Sequence, residues 1–344
     1  MTQPNPKISV IIPTHNREVT LHRAIQCFGR QTLAADNYEL VVVDDGSNPP
    51  VVLPDDFVGP RITLIRLEGV ERSAARNAGA AEALGDLLVF MDDDMQVGAD
   101  FLERHLRAQQ EWPDALVVGA IHLPADGMTS SFARFRKGIE LDEGQTARGL
   151  TASLNFCAAG NCSIPRERFN DAGGFDETMR SGEDQDLAFR HTGTGGSIAF
   201  APEARAIHND SALGIRAYCG RAEWGMVHII PFMRRHPFWP DNAQRAAVNG
   251  PVRLGREPLR RSLRKIMKLV VGRTPITRLL FGATSMLERA APDSPIIDRC
   301  YTLLLGAHIQ RGYRRGVKLY GPSDPQSEWP LYDAHATPAP AVKH

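Results

Sequence analysis

Leu87-Leu88-Val89-Phe90-Met91 runs straight into Asp92-Asp93-Asp94. Five consecutive apolar residues without alternation describe a strand buried on both faces, the kind a parallel sheet contains. Three adjacent aspartates at its end repel one another and call for a cation or for solvent. The same junction occurs upstream, where Leu40-Val41-Val42-Val43 meets Asp44-Asp45-Gly46-Ser47. A third apolar run, Ile8-Ser9-Val10-Ile11-Ile12, stops at Pro13, and 62–67 reads as a further strand. Between these runs the period changes to helical. Leu21, Ile25 and Phe28 share one face and end near Gly29, and a helix is predicted over 73–84 with Ser73 as N-cap and Gly85 just past its end. The order β-α-β-β-α-β predicts an open, mostly parallel sheet with helices on both faces.

Beyond residue 115 the pattern is less regular. Strands are predicted over 116–123 and 155–164, the latter with a small-residue turn, then a short helix over 165–172, an acid-led helix over 183–191, and a strand over 197–208. From residue 218 the periodicity is helical. The tail after Gly321 is Pro-rich and polar, as expected of a disordered segment.

The chain has 344 residues and a formal net charge of zero. The balance hides an asymmetry, because residues 1–250 carry a net −9 and residues 251–320 a net +11. A neutral total argues against a nucleic-acid binder, and the split suggests an acidic body for cation-assisted chemistry beside a basic segment for an anionic surface. Five cysteines, Cys27, Cys157, Cys162, Cys219 and Cys300, contain no CxxC pair. They favour a reducing compartment over a disulfide framework or zinc site. Cys157 and Cys162, flanking a small-residue turn, read as small buried residues and not nucleophiles. No charged segment followed by an apolar core opens the chain, and no apolar stretch approaches the ~18 residues of a membrane span. A cytoplasmic protein is expected, one that can sit peripherally on the inner face of the cytoplasmic membrane.

In an open α/β sheet, ligands bind at the carboxyl ends of the strands, where Asp44-Asp45 and Asp92-Asp93-Asp94 lie. On an extended strand Asp92 and Asp94 point the same way and Asp93 elsewhere, so two carboxylates can converge on Mn²⁺ or Mg²⁺ with phosphate and water completing the shell. The plainer reading is a solvated acidic turn. A third cluster, Gly182-Glu183-Asp184-Gln185-Asp186, begins a helix. There a carboxylate can serve as a base, or simply cap the helix while Asp186 pairs with Arg190.

Read in order, Pro13-Thr14-His15-Asn16-Arg17, Asp44-Asp45-Gly46-Ser47, Ser73-Ala74-Ala75-Arg76-Asn77-Ala78-Gly79, Asp92-Asp93-Asp94 and Gly174-Phe175-Asp176-Glu177 before Glu183-Asp184 resemble the family 2 glycosyltransferases, over roughly residues 7–215. The resemblance implies a GT-A fold and an inverting transfer of sugar from a nucleotide-sugar donor, with UDP the expected nucleotide, to a saccharide or lipid-linked acceptor. It implies a donor half over about 1–120 and an acceptor half over about 121–215, with the helical, basic region 216–320 outside it. Pro13, Thr14, Asn16 and Arg17 would wrap the nucleotide, with His15 shaping the base pocket. Asp44 would bind the base, Asp45 and Ser47 would shape that pocket, and Arg76 and Asn77 would approach the nucleotide. Of the acidic triplet, with Asp93 among the donor-site residues, Asp92 would contact the ribose and share the metal with Asp94. Asp184 would be the base, with Glu183 the alternative one position away. His208 could add an imidazole ligand to the metal, or be a hydrogen-bonded strand-end histidine. Donor selectivity is expected in loops around 123–148.

Two other functions fit parts of the sequence. A nucleotidyltransferase also gathers acids beside phosphates but wants a Gly-rich loop with Lys or Arg after the first strand, a poor match to Pro13–Arg17. A nucleotide-sugar-binding or scaffold protein with a degenerate site is opposed by intact Asp92, Asp94 and Asp184. In the basic region, Leu263, Ile266, Met267 and Val270 recur at helical spacing among Arg260, Arg261, Arg264, Lys265 and Lys268. Such a segment, within 254–318, can lie on an anionic membrane surface or pack as a bundle with a solvated basic face.

Overall fold

The computed structural model describes residues 6–124, 130–138, 147–151, 158–209 and 213–322. It divides into two compact units, one holding 6–124, 147–151 and 158–209, the other 130–138 and 213–322. The predicted disorder after residue 322, and Asn155 and Cys157, lie outside the described residues.

The first unit is built on one nine-stranded mixed sheet: β1 (Ile8–Thr14), β2 (Tyr38–Asp45), β3 (Ile62–Leu67), β4 (Leu87–Met91), β5 (Met95–Val97), β6 (Ala115–His122), β7 (Gly149–Leu150), β8 (Asn161–Pro165) and β9 (Ser197–His208). Its order is β3-β2-β1-β4-β8-β6-β9-β5, with β7 paired to β9. The first four strands are parallel; β8 runs antiparallel between β4 and β6. From β1 the chain winds first to β2 and β3 and later to β4 on the other side. The switch point therefore lies between β1 and β4, where such sheets bind ligands.

Side-chain alternation sorts the two faces. Ile8, Val10 and Ile12 of β1 and Leu40 and Val42 of β2 pack with Leu21, Ile25 and Phe28 of α1 (Glu18–Phe28) and Phe101 and Leu102 of α3 (Phe101–Glu111). On the opposite face Ile11 and Val43 meet α2 (Arg72–Glu82), and Phe90 packs on Phe169 of α5 (Arg166–Asp171) and on Phe175. Gly79 allows α2 this approach, because a Cβ there would stand 2.6 Å from Ile11 Cγ2.

Several boundaries differ from the sequence reading for visible reasons. β1 continues through Pro13, since pairing with β4 ends at Ile11 and Pro13 faces a partner on one side only. α2 begins at Arg72, and Ser73 is buried in its first turn instead of capping it. The cap position is Glu71, turned into place at φ 78° because Asp45 accepts the amides of Val70 and Glu71. β8 begins only at Asn161.

The second unit is helical: α4 (Ser131–Lys137), α7 (Ile215–His228), α8 (Ile230–Arg235), α9 (Pro240–Asn249), α10 (Leu259–Val271), α11 (Thr274–Ala290) and α12 (Pro295–Tyr320). Its core joins Phe132, Ile215, Cys219, Phe281, Ile297, Tyr301 and Leu304. The stretch around 123–148, expected among the donor loops, thus contributes α4 to this helical core, where the Phe132 ring meets Tyr218 and Tyr301 edge to face.

Candidate active site

The site is assembled from strand ends around the β1/β4 switch point. At the end of β2, Asp44 is buried and accepts the amides of Ser47 (2.9 Å) and Val51 (3.1 Å) and the guanidinium of Arg66 (2.6 Å). Burial works against its charge, but these donors prevail and hold it below the ordinary aspartate range. Asp44 therefore shapes the loop after β2 with its own oxygens. Asn16, with φ 55°, stitches that loop to the loop after β1: its amide donates to Ser47 Oγ (2.8 Å) and its Oδ1 accepts from Asn48 N (2.8 Å). His15 bonds the Asp45 carbonyl. Between these loops opens a cleft of about 590 Å³, lined among others by Asn16, Arg17, Ser47, Val51, Asp94 and Asn209.

After β4 the three aspartates occupy a turn closed by Met95 N to Asp92 O (3.3 Å), so strand alternation does not apply, and Asp92 and Asp94 take different partners. Asp92 pairs with Arg76 (2.7 Å). Asp93 turns inward to accept from Thr14 Oγ1 (2.6 Å) and Arg17 (3.3 Å), and burial pushes its carboxyl up to about 6 despite those donors. Asp94 meets Arg17 at 2.8 Å and His208 Nε2 at 3.3 Å; against the cost of burial, His208 and Arg17 hold it low. Its second oxygen, Oδ1, is buried without a hydrogen-bond partner among the described residues. A buried, unpaired carboxylate oxygen beside an imidazole is a donor set suited to Mn²⁺ or Mg²⁺. Among the described residues no cluster of three or more His, Cys, Asp or Glu could hold a metal unaided.

Arg76 links this rim to the third cluster. It is buried on α2, donates to Asp92 and to Glu183 (3.2 Å), and lies over the Phe175 ring at 5.5 Å. Two of its nitrogens are thus engaged by carboxylates, and the Asn77 side chain likewise has its partners within the fold. Asn77 grips the Gly174–Glu177 loop through Phe175 N, Phe175 O and Glu177, each at 2.9 Å. Gly182, at φ 81°, starts α6 (Glu183–Gly193), and Arg190 fixes the helix through Asp186 (2.8 Å) and Gly174 O (2.7 Å). Glu183 is buried against Arg76. Asp184, half-buried, bonds only the neighbouring amide of Gln185 (2.8 Å) among its hydrogen bonds in the described residues. Burial, then the adjacent Glu183, raises its carboxyl above the ordinary range, while Arg76 pulls the other way.

Sequence reasoning passed over two contributors. A Cβ at Gly160 would stand 2.9 Å from Asp92 Oδ2, so this glycine leaves room beside the carboxylate. Asn209 lines the cleft and its amide bonds Asp94 O (3.0 Å); its position next to His208 was the available signal. Cys162 is buried in β8 and its thiol is pushed up to about 12 by burial, as befits an inert core residue.

An open α/β sheet with acids at the switch point and an acid-led helix opposite is a GT-A architecture, with helices added after it. Residues 9–171, a little under half of the chain, match the family Glycosyl transferase family 2. The match contains the motifs from Thr14 to Asp94 and stops short of Asp184. The pre-mycofactocin glycosyltransferase of Mycobacterium tuberculosis is 28% identical over 235 residues, covering 67% of this chain and 48% of that protein. The validoxylamine A glucosyltransferase of Streptomyces hygroscopicus subsp. limoneus is 28% identical over 267 residues, covering 67% and 57% respectively. The chain thus spans about half the length of these relatives. The mannosyltransferase PcManGT of Pyrobaculum calidifontis, solved with GDP-Man and Mn²⁺, superimposes with a TM-score of 0.56 at 18% identity, over 91% of this chain and 88% of that one. That likeness concerns the fold.

Proposed function

We propose that the chain transfers a sugar from a nucleoside-diphosphate donor to an acceptor hydroxyl, with inversion, in a single displacement. The observation that carries this reading is a pair of unlike acids, Asp94 and Asp184, whose chain neighbours Asp92 and Glu183 are joined through Arg76. Among the described residues Asp94 keeps a buried unpaired oxygen beside His208, and Asp184 stands free of the ion pairs that engage Glu183. The named relatives are glycosyltransferases, and PcManGT was solved with a nucleotide sugar and Mn²⁺, which supports the same assignment.

Asp94 and His208 would hold a divalent cation, which when bound would neutralise charge building on the departing diphosphate. The cleft beside Asn16, Ser47 and Val51 would take the nucleoside, with Thr14, Asp45 and Asp93 supporting its walls. Arg17 would exchange its bond to Asp94 for a phosphate oxygen. Asp92 and Arg76 hold the rim at a fixed distance from α6. Asp184 would accept the acceptor's hydroxyl proton as the new oxygen–carbon bond forms at the anomeric centre and the glycosyl–phosphate bond breaks. The electron pair leaves with the diphosphate. A carboxyl raised toward neutrality is matched to that task. Residues 1–120 would thus serve the donor and the remainder of the first unit the acceptor, which we assign to the saccharide or lipid-linked class.

A thermal-shift screen of UDP-, GDP- and dTDP-sugars with and without Mn²⁺ tests the assignment. At least one nucleotide sugar should raise the melting temperature in the presence of the metal and release its nucleoside diphosphate over time. No shift with any of them would overturn it.

A further inference from the structure

In α10 the usual orientation of an amphipathic helix is reversed. Leu259, Leu263, Ile266, Met267 and Val270 fall on one stripe and all are exposed, Leu263 by 55%, whereas Lys265 is only 3% exposed and Ser262 is fully buried. The inward face is held by polar bonds. Glu257 accepts from Lys265 Nζ (2.6 Å) and Ser262 Oγ (2.8 Å), and Pro251 O accepts a second bond from Lys265 (2.9 Å). Such a helix would ordinarily turn its aliphatic stripe to the core. The next helix, α11, repeats the feature: Leu279, Ala283, Met286 and Ala290 share a face by spacing and are exposed, Leu279 by 75%.

The edge of the α10 stripe is cationic. Arg260 and Arg264 border it, Arg261, Arg273 and Arg278 are also exposed, and none of the five pairs with a carboxylate among the described residues. Residues 259–290 hold eight basic side chains and one acidic. An isologous contact with a second copy would press these arginines together, which opposes that occupant. No helix of the described residues is long and apolar enough to cross a membrane.

We infer that α10 and α11 form an in-plane docking surface for an anionic lipid bilayer, with Leu263, Ile266 and Met267 entering the acyl boundary and the arginines meeting lipid phosphates. An aliphatic stripe bordered by exposed cations is the pattern that binds such surfaces. The inference uses the helical unit alone and stands or falls independently of glycosyl transfer.

The test is sedimentation of the full chain with vesicles of phosphatidylcholine, with and without about half phosphatidylglycerol. The chain should sediment with the anionic vesicles and stay largely in solution with the neutral ones. L263E/I266E should lower partitioning about tenfold or more with an unchanged melting temperature. R260Q/R264Q should lower it about fivefold per arginine at low salt. Failure to sediment with anionic vesicles would overturn the inference. So would L263E/I266E binding like the parent, or a dimer in solution that this variant dissociates, since a second copy would then cover the face. Should L263E/I266E fold poorly, L279E supplies the same comparison from α11.

Discussion

The acidic rim and α10 depart from the ordinary inside–outside rule in opposite directions. The rim buries charge: Arg76, Asp93, Glu183 and Asp186 are nearly inaccessible, and each is paired, Arg76, Asp93 and Glu183 with a group from another segment and Asp186 with Arg190 of its own helix. α10 exposes aliphatic surface and needs no partner to stay folded, because Glu257, Ser262 and Lys265 secure its other face. Buried charge is expensive unless satisfied, so substitutions at the rim should affect both stability and chemistry. Exposed methyl groups cost the folded state little, so substitutions on α10 should leave stability alone and report only on what the helix touches.

The largest separation of the two behaviours is expected at Asp184. Asp184→Asn should lower transfer by about 10²–10⁴-fold, the ordinary worth of a general base, measured as nucleotide release in the presence of acceptor. The same change should not destabilise. The folded carboxyl is raised above its unfolded value, so its contribution is fully present below the unfolded pKa and is lost as pH rises through the folded one. Asp184→Asn should therefore melt like the parent in acid and higher than the parent at neutral and alkaline pH. For the same reason parental transfer should decline with acidity at a pH above the ordinary aspartate value of about 4.

Arg76→Met should destabilise by about 3–5 kcal/mol, the range for removing one partner of a buried ion pair, read from urea unfolding. It strands Glu183 in the interior and frees Asp92 from α6. Arg76→Lys should recover only part of this, because a point-like ammonium cannot serve both carboxylates. Asn77→Ala should cost about 1–3 kcal/mol through unsatisfied backbone groups of Phe175, and loosen the loop before α6. At the small end, Leu263→Ser should change stability by no more than about 0.5 kcal/mol. A loss of several kcal/mol there would show that the stripe is covered within the protein and would abolish the contrast.

The fold was legible where apolar residues cluster or alternate over a short run. Ile62–Leu67, Leu87–Met91 and Ser197–His208 are strands at the residues their composition marks. Legibility declined where a remote group decides. Ser73 has the character of an N-cap, yet the helix start is set by Asp45, 28 positions earlier, binding two loop amides. Asp92 and Asp94 alternate only if extended, and a turn separates them. Arg76 and Asn77 carry the expected residue types, but their partners, Asp92, Glu183 and the Phe175 loop, come from distant segments that no spacing rule connects. For α10, periodicity identified the aliphatic stripe but not its outward direction, which depends on Glu257 pairing with Lys265 across one short loop.

In the proposed transfer Asp94 is the point where a divalent ion and a diphosphate would meet. Calorimetric titration of UDP and GDP into the parent and into Asp94→Asn, each with Mn²⁺ and with EDTA, measures this directly. At least one nucleotide should bind the parent only with Mn²⁺, and Asp94→Asn should lose that binding while still unfolding cooperatively, at a somewhat lower melting temperature because the pairs with Arg17 and His208 are weakened. Equal binding by Asp94→Asn, or no metal-dependent binding of either nucleotide, would contradict it.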